Sequence, residues 1–422
     1  MAANPPAGLA PADTLERARQ VMERCDTLAA FSEETDRLTR RYGTPALRQA
    51  QDAIAGWMTA AGLATRRDAV GNLIARLEGS DSTAGTLLLG SHLDSVRDAG
   101  KYDGPLGVLV ALAAVEGIQA RGERPPFAIE LLAFADEEGL RFGTAYLGSS
   151  AYTAALDLAT LATTDRDGVP LAEAVRAFGG DPGAIRAEHP PADRLLGYLE
   201  VHIEQGPTLE AMDLPVGVVT AIAGRNQIAV QYSGEAGHAG TVAMERRRDA
   251  LAAASELVLA AESLAHNTPD LVATVGQIAA EPGAANVIPG RARATIDLRH
   301  PDDDVRDNAR HRLRERAEEI AARRRVDLSW DVVNDNGAVA MDPTLAGLLA
   351  RAVEDAGLPV HRLPSGAGHD PVMLAAICPV AMLFVRCLGG ISHNPAESVT
   401  TEDVAAAIRV LDGVTGRIAG SP

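Results

Sequence analysis

Residues 86–139 read TLLLGSHLDSVRDAGKYDGPLGVLVALAAVEGIQARGERPPFAIELLAFADEEG. TLLLGSHLD predicts a strand. GPLGVLVALAAVEGIQARG predicts a helix ended by Gly122. FAIELLAFADEEG is a continuous apolar run, as expected of a strand buried on both faces. Upstream, NLIARLEG predicts another strand, and residues 11–64 read as helical, with apolar residues recurring at three and four. Downstream, GYLEVHIEQG adds a further strand. This alternation argues for an α/β sheet with helices on both faces.

The middle of the chain changes character. VGVVTAIAGRNQIAVQYSGEA reads as two strands and MERRRDALAAASELVLAAESLA as an amphipathic helix. LVATVGQIAAE and RARATIDLR read as strands, VRDNARHRLRERAEEIAARRR as a charged helix, and VDLSWDVV as a strand. The order β-α-β-β-α-β predicts a ferredoxin-like α+β module inserted at 215–334. The mixed charges of its second helix read as a solvated face and carry no function. LAGLLARAVEDAG, VAMLFVRC and TEDVAAAIRVLDGVTGR then return to α/β. The expected fold is a discontinuous α/β domain with a mixed sheet flanked by helices (1–214 and 335–422), interrupted by the satellite domain.

Composition narrows the function. The chain has 422 residues, 46% hydrophobic and 23% charged, ordinary for a soluble globular enzyme. Acidic residues number 57 against 39 basic, a formal charge of -18, which argues against nucleic acid or an anionic membrane as partner. The opening MAANPPAGLAPAD lacks a basic stretch followed by an apolar one, so no secretory signal is expected. No apolar run reaches the roughly 18 residues that span a bilayer. Cys25, Cys378 and Cys387 form no CxxC and suggest no disulfide framework, so a reducing cytoplasm is the expected compartment.

His92, Asp103, the pair Glu137-Glu138, His202 and His393 all lie at or just past predicted strands. In open α/β sheets, sites form outside the carboxyl ends of the strands, so these segments should point at one crevice. Imidazoles and carboxylates together suit zinc, manganese or a similar divalent ion. A carboxylate in the tight YDG turn can bridge two ions, an arrangement familiar in hydrolysis. At an irregular strand end, one of Glu137 and Glu138 can bind metal while the other stays free as a base. Each feature alone is ordinary: DEEG by itself reads as a helix N-terminus, and neither HExxH nor CxxC occurs. Their convergence carries the inference.

GSHLDSVRDAGKYDGPLG, FADEEGLRFG, EVHIEQGPTLE, GEAGHAGT, GAANVIPG, ATIDLRHPD, SGAGHD and GGISHNPAE run from residue 90 to 397. Together they resemble the M20-type dinuclear metallohydrolases, and within them the amidohydrolases acting on carbamoyl (ureido) groups. VRDAGKYDG and FVRCLGGISHNPAE look most like the allantoate-hydrolysing members. The resemblance implies release of ammonia and carbon dioxide from a small anionic ureido substrate. N-carbamoyl-L-amino acid and β-ureidopropionate hydrolysis are the alternatives, with a peptidase or deacylase behind them. A binding protein that has lost its chemistry is disfavoured by the intact set of acidic and imidazole groups.

The resemblance also implies residue roles. His92, Asp103, Glu138, His202 and His393 look like the ligands of two divalent ions per subunit (Zn or Mn), with Asp103 bridging. Asp94 looks like the carboxylate orienting His92, and Glu137 like the general base. Arg299 is expected to grip the substrate carboxylate with its planar fork. Gln205, His238 and Asn286 look like further substrate contacts, and His238 like an oxyanion donor. His238 lies in the satellite domain, which is therefore expected to close over the site. That domain resembles a dimerisation domain, so a homodimer is expected, with contacts from either subunit. In SGAGHD, His369 with Asp370 reads either as shaping the site from behind the ligands or as a Gly-rich turn ahead of a helix.

Overall fold

A computed structural model describes residues 11–187 and 189–420. Among the described residues, twelve strands of four or more residues carry the architecture: β1 Ala64–Arg67, β2 Leu73–Leu77, β3 Thr86–His92, β4 Ala128–Phe134, β5 Leu195–Ile203, β6 Val216–Ile222, β7 Gly224–Ser233, β8 Val272–Glu281, β9 Arg291–His300, β10 Asp327–Asn336, β11 Arg362–Ser365 and β12 Val380–Val385. The chain divides into two compact units. Of the described residues, those up to 220, 341–363 and those from 369 onward form the first; 221–340 and 364–368 form the second.

The first unit is built on a mixed sheet in the order β1-β2-β4-β3-β5-β12-β6, with β11 also paired to β6. Its centre is parallel: β4 with β3, β3 with β5, and β5 with β12. β2 and β6 run antiparallel at either side of that centre. Every residue of β3 and β12 is buried, which explains why these stretches show no polar alternation. Helices Pro11–Ala29, Pro105–Ala120, Pro343–Asp355 and Thr401–Gly420 pack on one another beside the sheet. Helix Pro105–Ala120 is apolar nearly all round and presses onto β3 and β5. Gly107 allows that approach, since a Cβ there would lie 2.1 Å from the Val201 carbonyl oxygen.

The second unit contains a four-stranded antiparallel sheet, β10-β7-β9-β8. Helices Ala250–His266 and Asp303–Arg324 pack on it. Ile228, Val230, Tyr232, Ile296 and Leu298 of the strands meet Leu257, Leu264, Leu313 and Ile320 of the helices in one core. Both helices start on aspartate caps: Asp249 accepts from Ala252 N at 3.0 Å and Asp302 from Asp304 N at 2.9 Å. In chain order the module is β-α-β-β-α-β. It begins at 221 and ends at 340, against the expected 215 and 334. The reason lies in β6, whose Val216–Val218 pairs with β12 in the first unit's sheet. The segment 364–368, expected in the returning α/β part, also belongs to the second unit.

Among the described residues, no helix is long and apolar enough to cross a membrane. Cys25, Cys378 and Cys387 are buried free thiols.

Candidate metal centre

Four adjacent parallel strands deliver their carboxyl ends to one place. β3 ends on His92, β5 ends on His202 and Ile203, β4 runs into Asp136-Glu137-Glu138, and the loop after β12 carries His393. Neighbouring parallel strands bring these ends side by side, as the general rule for open α/β sheets requires. Asp103 arrives on the loop between β3 and helix Pro105–Ala120. The residue after it must be glycine: Gly104 has φ +82°, and a Cβ there would meet the His92 ring at 2.5 Å.

Asp103 is shared between two sets of groups. Its Oδ1 faces His92 Nε2 at 3.5 Å and His202 Nε2 at 3.2 Å. Its Oδ2 faces His393 Nε2 at 3.3 Å, and that nitrogen also faces Glu138 Oε1 at 3.3 Å. Behind these groups, the Nδ1 atoms are occupied. His92 Nδ1 lies 3.2 Å from the Asp94 carbonyl and 3.3 Å from Asp94 Oδ1. His202 Nδ1 lies 2.9 Å from the Ile203 carbonyl. Asp94 also accepts the backbone N–H groups of Glu137 (2.9 Å) and Glu138 (3.0 Å), so one carboxylate orients His92 and the acidic pair together.

This arrangement fits divalent cations. With Nδ1 donating backwards, the neutral rings of His92 and His202 turn lone pairs toward Asp103 Oδ1. Two lone pairs against an anionic oxygen repel unless a positive charge lies among them. His202 Nε2 is buried and finds no well-formed hydrogen bond in the protein. The titration directions tell the same story. Burial disfavours charge on His92 and His202, yet Asp103, joined by Asp94 at His92 and by Glu200 at His202, raises both imidazoles above their ordinary value. His393, hydrogen-bonded to Asp103 and then Glu138, is pushed up to about 10. Burial works to raise Asp103 itself, but its three histidine partners hold it well below the carboxylate range. The site thus demands positive charge, and its nitrogen and oxygen donors suit a borderline or hard divalent ion.

Glu137 is buried beside this centre. Burial pushes its carboxyl well above the ordinary range, with His92 opposing and Glu138 adding to the rise. Cations held by its neighbours would pull it back toward ionisation. A carboxylate tuned in this way suits a general base.

The chain also places Glu200, Ser392 and Glu397 around the centre, and sequence reasoning assigned them nothing. Glu200 accepts from Ser91 Oγ (2.9 Å) and Tyr198 Oη (2.8 Å), two residues before His202. A glutamate inside a doubly buried strand was the available signal, since such a group needs built partners. Glu397 accepts the backbone N–H groups of Tyr102 (2.9 Å) and Asp103 (3.1 Å) and the Ser392 hydroxyl (3.0 Å), tying the Asp103 loop to the His393 loop. Gln205, expected to face substrate, donates its amide to Asp103 Oδ2 at 2.8 Å and Ser392 Oγ at 3.2 Å. Its Oε1 is buried without a partner and remains available as an acceptor. His369 is buried against His202, ring centroids 4.4 Å apart, and Asp370 opens the short helix that follows.

The other expected substrate residues belong to the second unit. His238 is exposed on a two-residue ladder, Gly237–His238 with Val287–Ile288. Its Nδ1 accepts the Gly240 N–H at 3.0 Å, so the neutral ring carries its proton on Nε2, ready to donate. Ala239 N donates to the Asn286 carbonyl at 3.0 Å, which holds Asn286 beside His238. Arg299 lies near the far end of β9, in register with Arg225 of β7.

Comparison with known proteins agrees with this geometry. Residues 88–416 match the family model described as peptidase family M20/M25/M40. The N-carbamoyl-L-amino acid amidohydrolase of Geobacillus stearothermophilus is 42% identical, over 89% of this chain and 91% of that protein. The allantoate deiminase of Arabidopsis thaliana is 39% identical, over 92% of this chain and 80% of that protein. A crystal structure of a hydantoinase/carbamoylase-family amidase from Burkholderia multivorans matches with a TM-score of 0.90 at 32% identity, covering 96% of this chain and 98% of that one. The chain therefore belongs to the M20/M25/M40 peptidase family, as a metallohydrolase that acts on C–N bonds in the manner of the amidohydrolases it resembles.

Proposed function

We propose that the chain hydrolyses a ureido C–N bond of allantoate, releasing ammonia and carbon dioxide, with two divalent ions per subunit (Zn or Mn) sharing Asp103. The observation that carries this reading is the division of Asp103 between two ligand sets, with Glu137 beside them. His92 and His202 would hold one ion, and Glu138 and His393 the other. Such a pair supplies Lewis-acid activation of water and of a carbonyl oxygen.

The protein's own groups do the rest. Glu137 takes a proton from the attacking water and returns it to the departing nitrogen. His238 Nε2–H donates to the oxygen that becomes negative as the carbonyl carbon turns tetrahedral. Arg299 binds the substrate carboxylate, and Gln205 Oε1 and Asn286 offer further polar contacts. Water adds to R–NH–CO–NH₂ and the products are R–NH₂, carbon dioxide and ammonia.

Strand register supports a second copy in this scheme. Arg299 pairs with Arg225, and Arg291 with Ser233. Ser233 stands eight positions along β7 from Arg225, about 26 Å in an extended strand, and His238 follows five residues later in the chain. That separation argues against one small ureido acid touching Arg299 and His238 of the same chain. We infer that His238 and Asn286 act on a substrate whose carboxylate is held by the Arg299 of another copy, as in a homodimer.

N-carbamoyl-L-amino acid hydrolysis is the second reading, favoured by the 42% identical Geobacillus relative. A kinetic panel separates the two: allantoate, several N-carbamoyl-L-amino acids, N-carbamoyl-β-alanine and dipeptides, each followed by kcat/KM. Allantoate is expected to lead. A carbamoyl amino acid in first place moves the substrate and keeps the reaction; dipeptides in first place reject both.

A further inference from the structure

Arg299 is not a free side chain. Its Nε and Nη2 donate to Asp297 Oδ1 and Oδ2 at 2.7 and 3.1 Å, a two-point contact. Its Nη1 donates to the Gly366 carbonyl at 2.7 Å. A guanidinium has five N–H groups in one plane. Three are taken, which leaves one on each terminal nitrogen. Two donors on adjacent nitrogens match the two oxygens of a carboxylate. A second guanidinium joins the cluster: Arg225 Nε donates to Asp297 Oδ2 at 2.6 Å. Burial disfavours charge on Asp297, but Arg299 and Arg225 outweigh it and hold the carboxyl below its ordinary range. Two guanidiniums and one carboxylate leave the group with one net positive charge.

We propose that Asp297 is a positioning residue for substrate specificity: it locks the Arg299 guanidinium so that its remaining two N–H groups meet the substrate carboxylate, while Arg225 keeps Asp297 from cancelling the charge of Arg299. This rests on the reading of Arg299 as the carboxylate clamp. It makes a prediction opposite in sign to simple electrostatics. Removing a negative charge beside an anion-binding arginine should tighten anion binding by Coulomb's law alone. Freeing the guanidinium should weaken it, because the ordering of the fork must then be supplied on binding.

The test compares allantoate with its carboxamide, and N-carbamoyl-L-alanine with its carboxamide, so that failure of the allantoate reading leaves the result legible. For Asp297→Asn, KM for the acid is expected to rise about tenfold, the size of one lost charge-assisted hydrogen bond. Its kcat should hardly move, and kcat/KM for the carboxamide should not change. Asp297→Glu should keep most of the acid preference. Arg299→Ala should abolish that preference, and adding Asp297→Asn to it should change nothing further.

An unchanged or lower KM in Asp297→Asn overturns the positioning role, as does an equal loss on acid and carboxamide. If Arg299→Ala keeps the acid preference, the clamp reading itself has failed, and the role of Asp297 falls with it. Should Asp297→Asn not fold, Arg225→Met tests the same cluster from its other side. With its counter-charge gone, Asp297 offsets Arg299 fully, so KM for the acid should rise while the carboxamide is unaffected; no change in KM overturns the proposal.

Discussion

Glu137→Gln is expected to bind the same metal complement as the unaltered chain and to lose roughly 10²- to 10⁴-fold in kcat, the usual contribution of a positioned base. The substitution preserves shape and removes only the ability to take a proton. Glu137 is 8% exposed, and its backbone N–H is fixed by Asp94, so the amide has one place to sit. His393 Nε2 faces Glu138 rather than Glu137, which favours Glu138 as the proposed ligand of the pair. Glu138→Gln should therefore lose metal, read by metal analysis of the purified protein, where Glu137→Gln does not. Full activity in Glu137→Gln removes the base assignment. Loss of metal from it would place Glu137 among the ligands.

A mixture of two inactive variants is expected to recover activity. His238→Ala and Arg299→Ala should each be severely impaired alone, one without its oxyanion donor and the other without its carboxylate clamp. In a hybrid dimer where His238 serves the partner's site, one site draws both defects and the other draws neither. Random re-pairing of equal amounts makes half the dimers hybrids, so about a quarter of the unaltered activity should return. Mixing without exchange of subunits should restore nothing, which controls for simple stabilisation. If exchanged hybrids are as inactive as their parents, His238 and Arg299 serve one site from one chain, and the distance along β7 must be overcome in some other way.

Three members of the proposed ligand set are legible because they stand where an apolar strand stops, whereas Asp103 and His393 lie on loops. His92, Glu138 and His202 follow runs whose burial on both faces leaves no polar alternation, so polar residues at their ends stand out. The β-α-β-β-α-β order of the second unit is equally readable, from alternation on β7 and β9. What stays hidden depends on partners far along the chain. Glu397 matters through backbone N–H groups at 102 and 103. Asp297 matters through Arg225, which only strand pairing brings near. Val216–Ile222 is visibly a strand, but its apolar pattern cannot say which sheet takes it. Gln205 turns its amide to Asp103 from a left-handed backbone, φ 57°, which a non-glycine residue seldom adopts and its sequence does not announce.

The most direct measurement is metal stoichiometry against ammonia release. The chain is stripped with a chelator, Mn²⁺ or Zn²⁺ is titrated back, and bound metal and turnover of allantoate are followed together. Activity should be absent from the stripped protein and reach its maximum as two ions bind per chain, with Asp103→Asn disturbing both. Full turnover by metal-free protein, or a maximum reached at one ion that Asp103→Asn leaves untouched, would contradict a centre built on a shared Asp103.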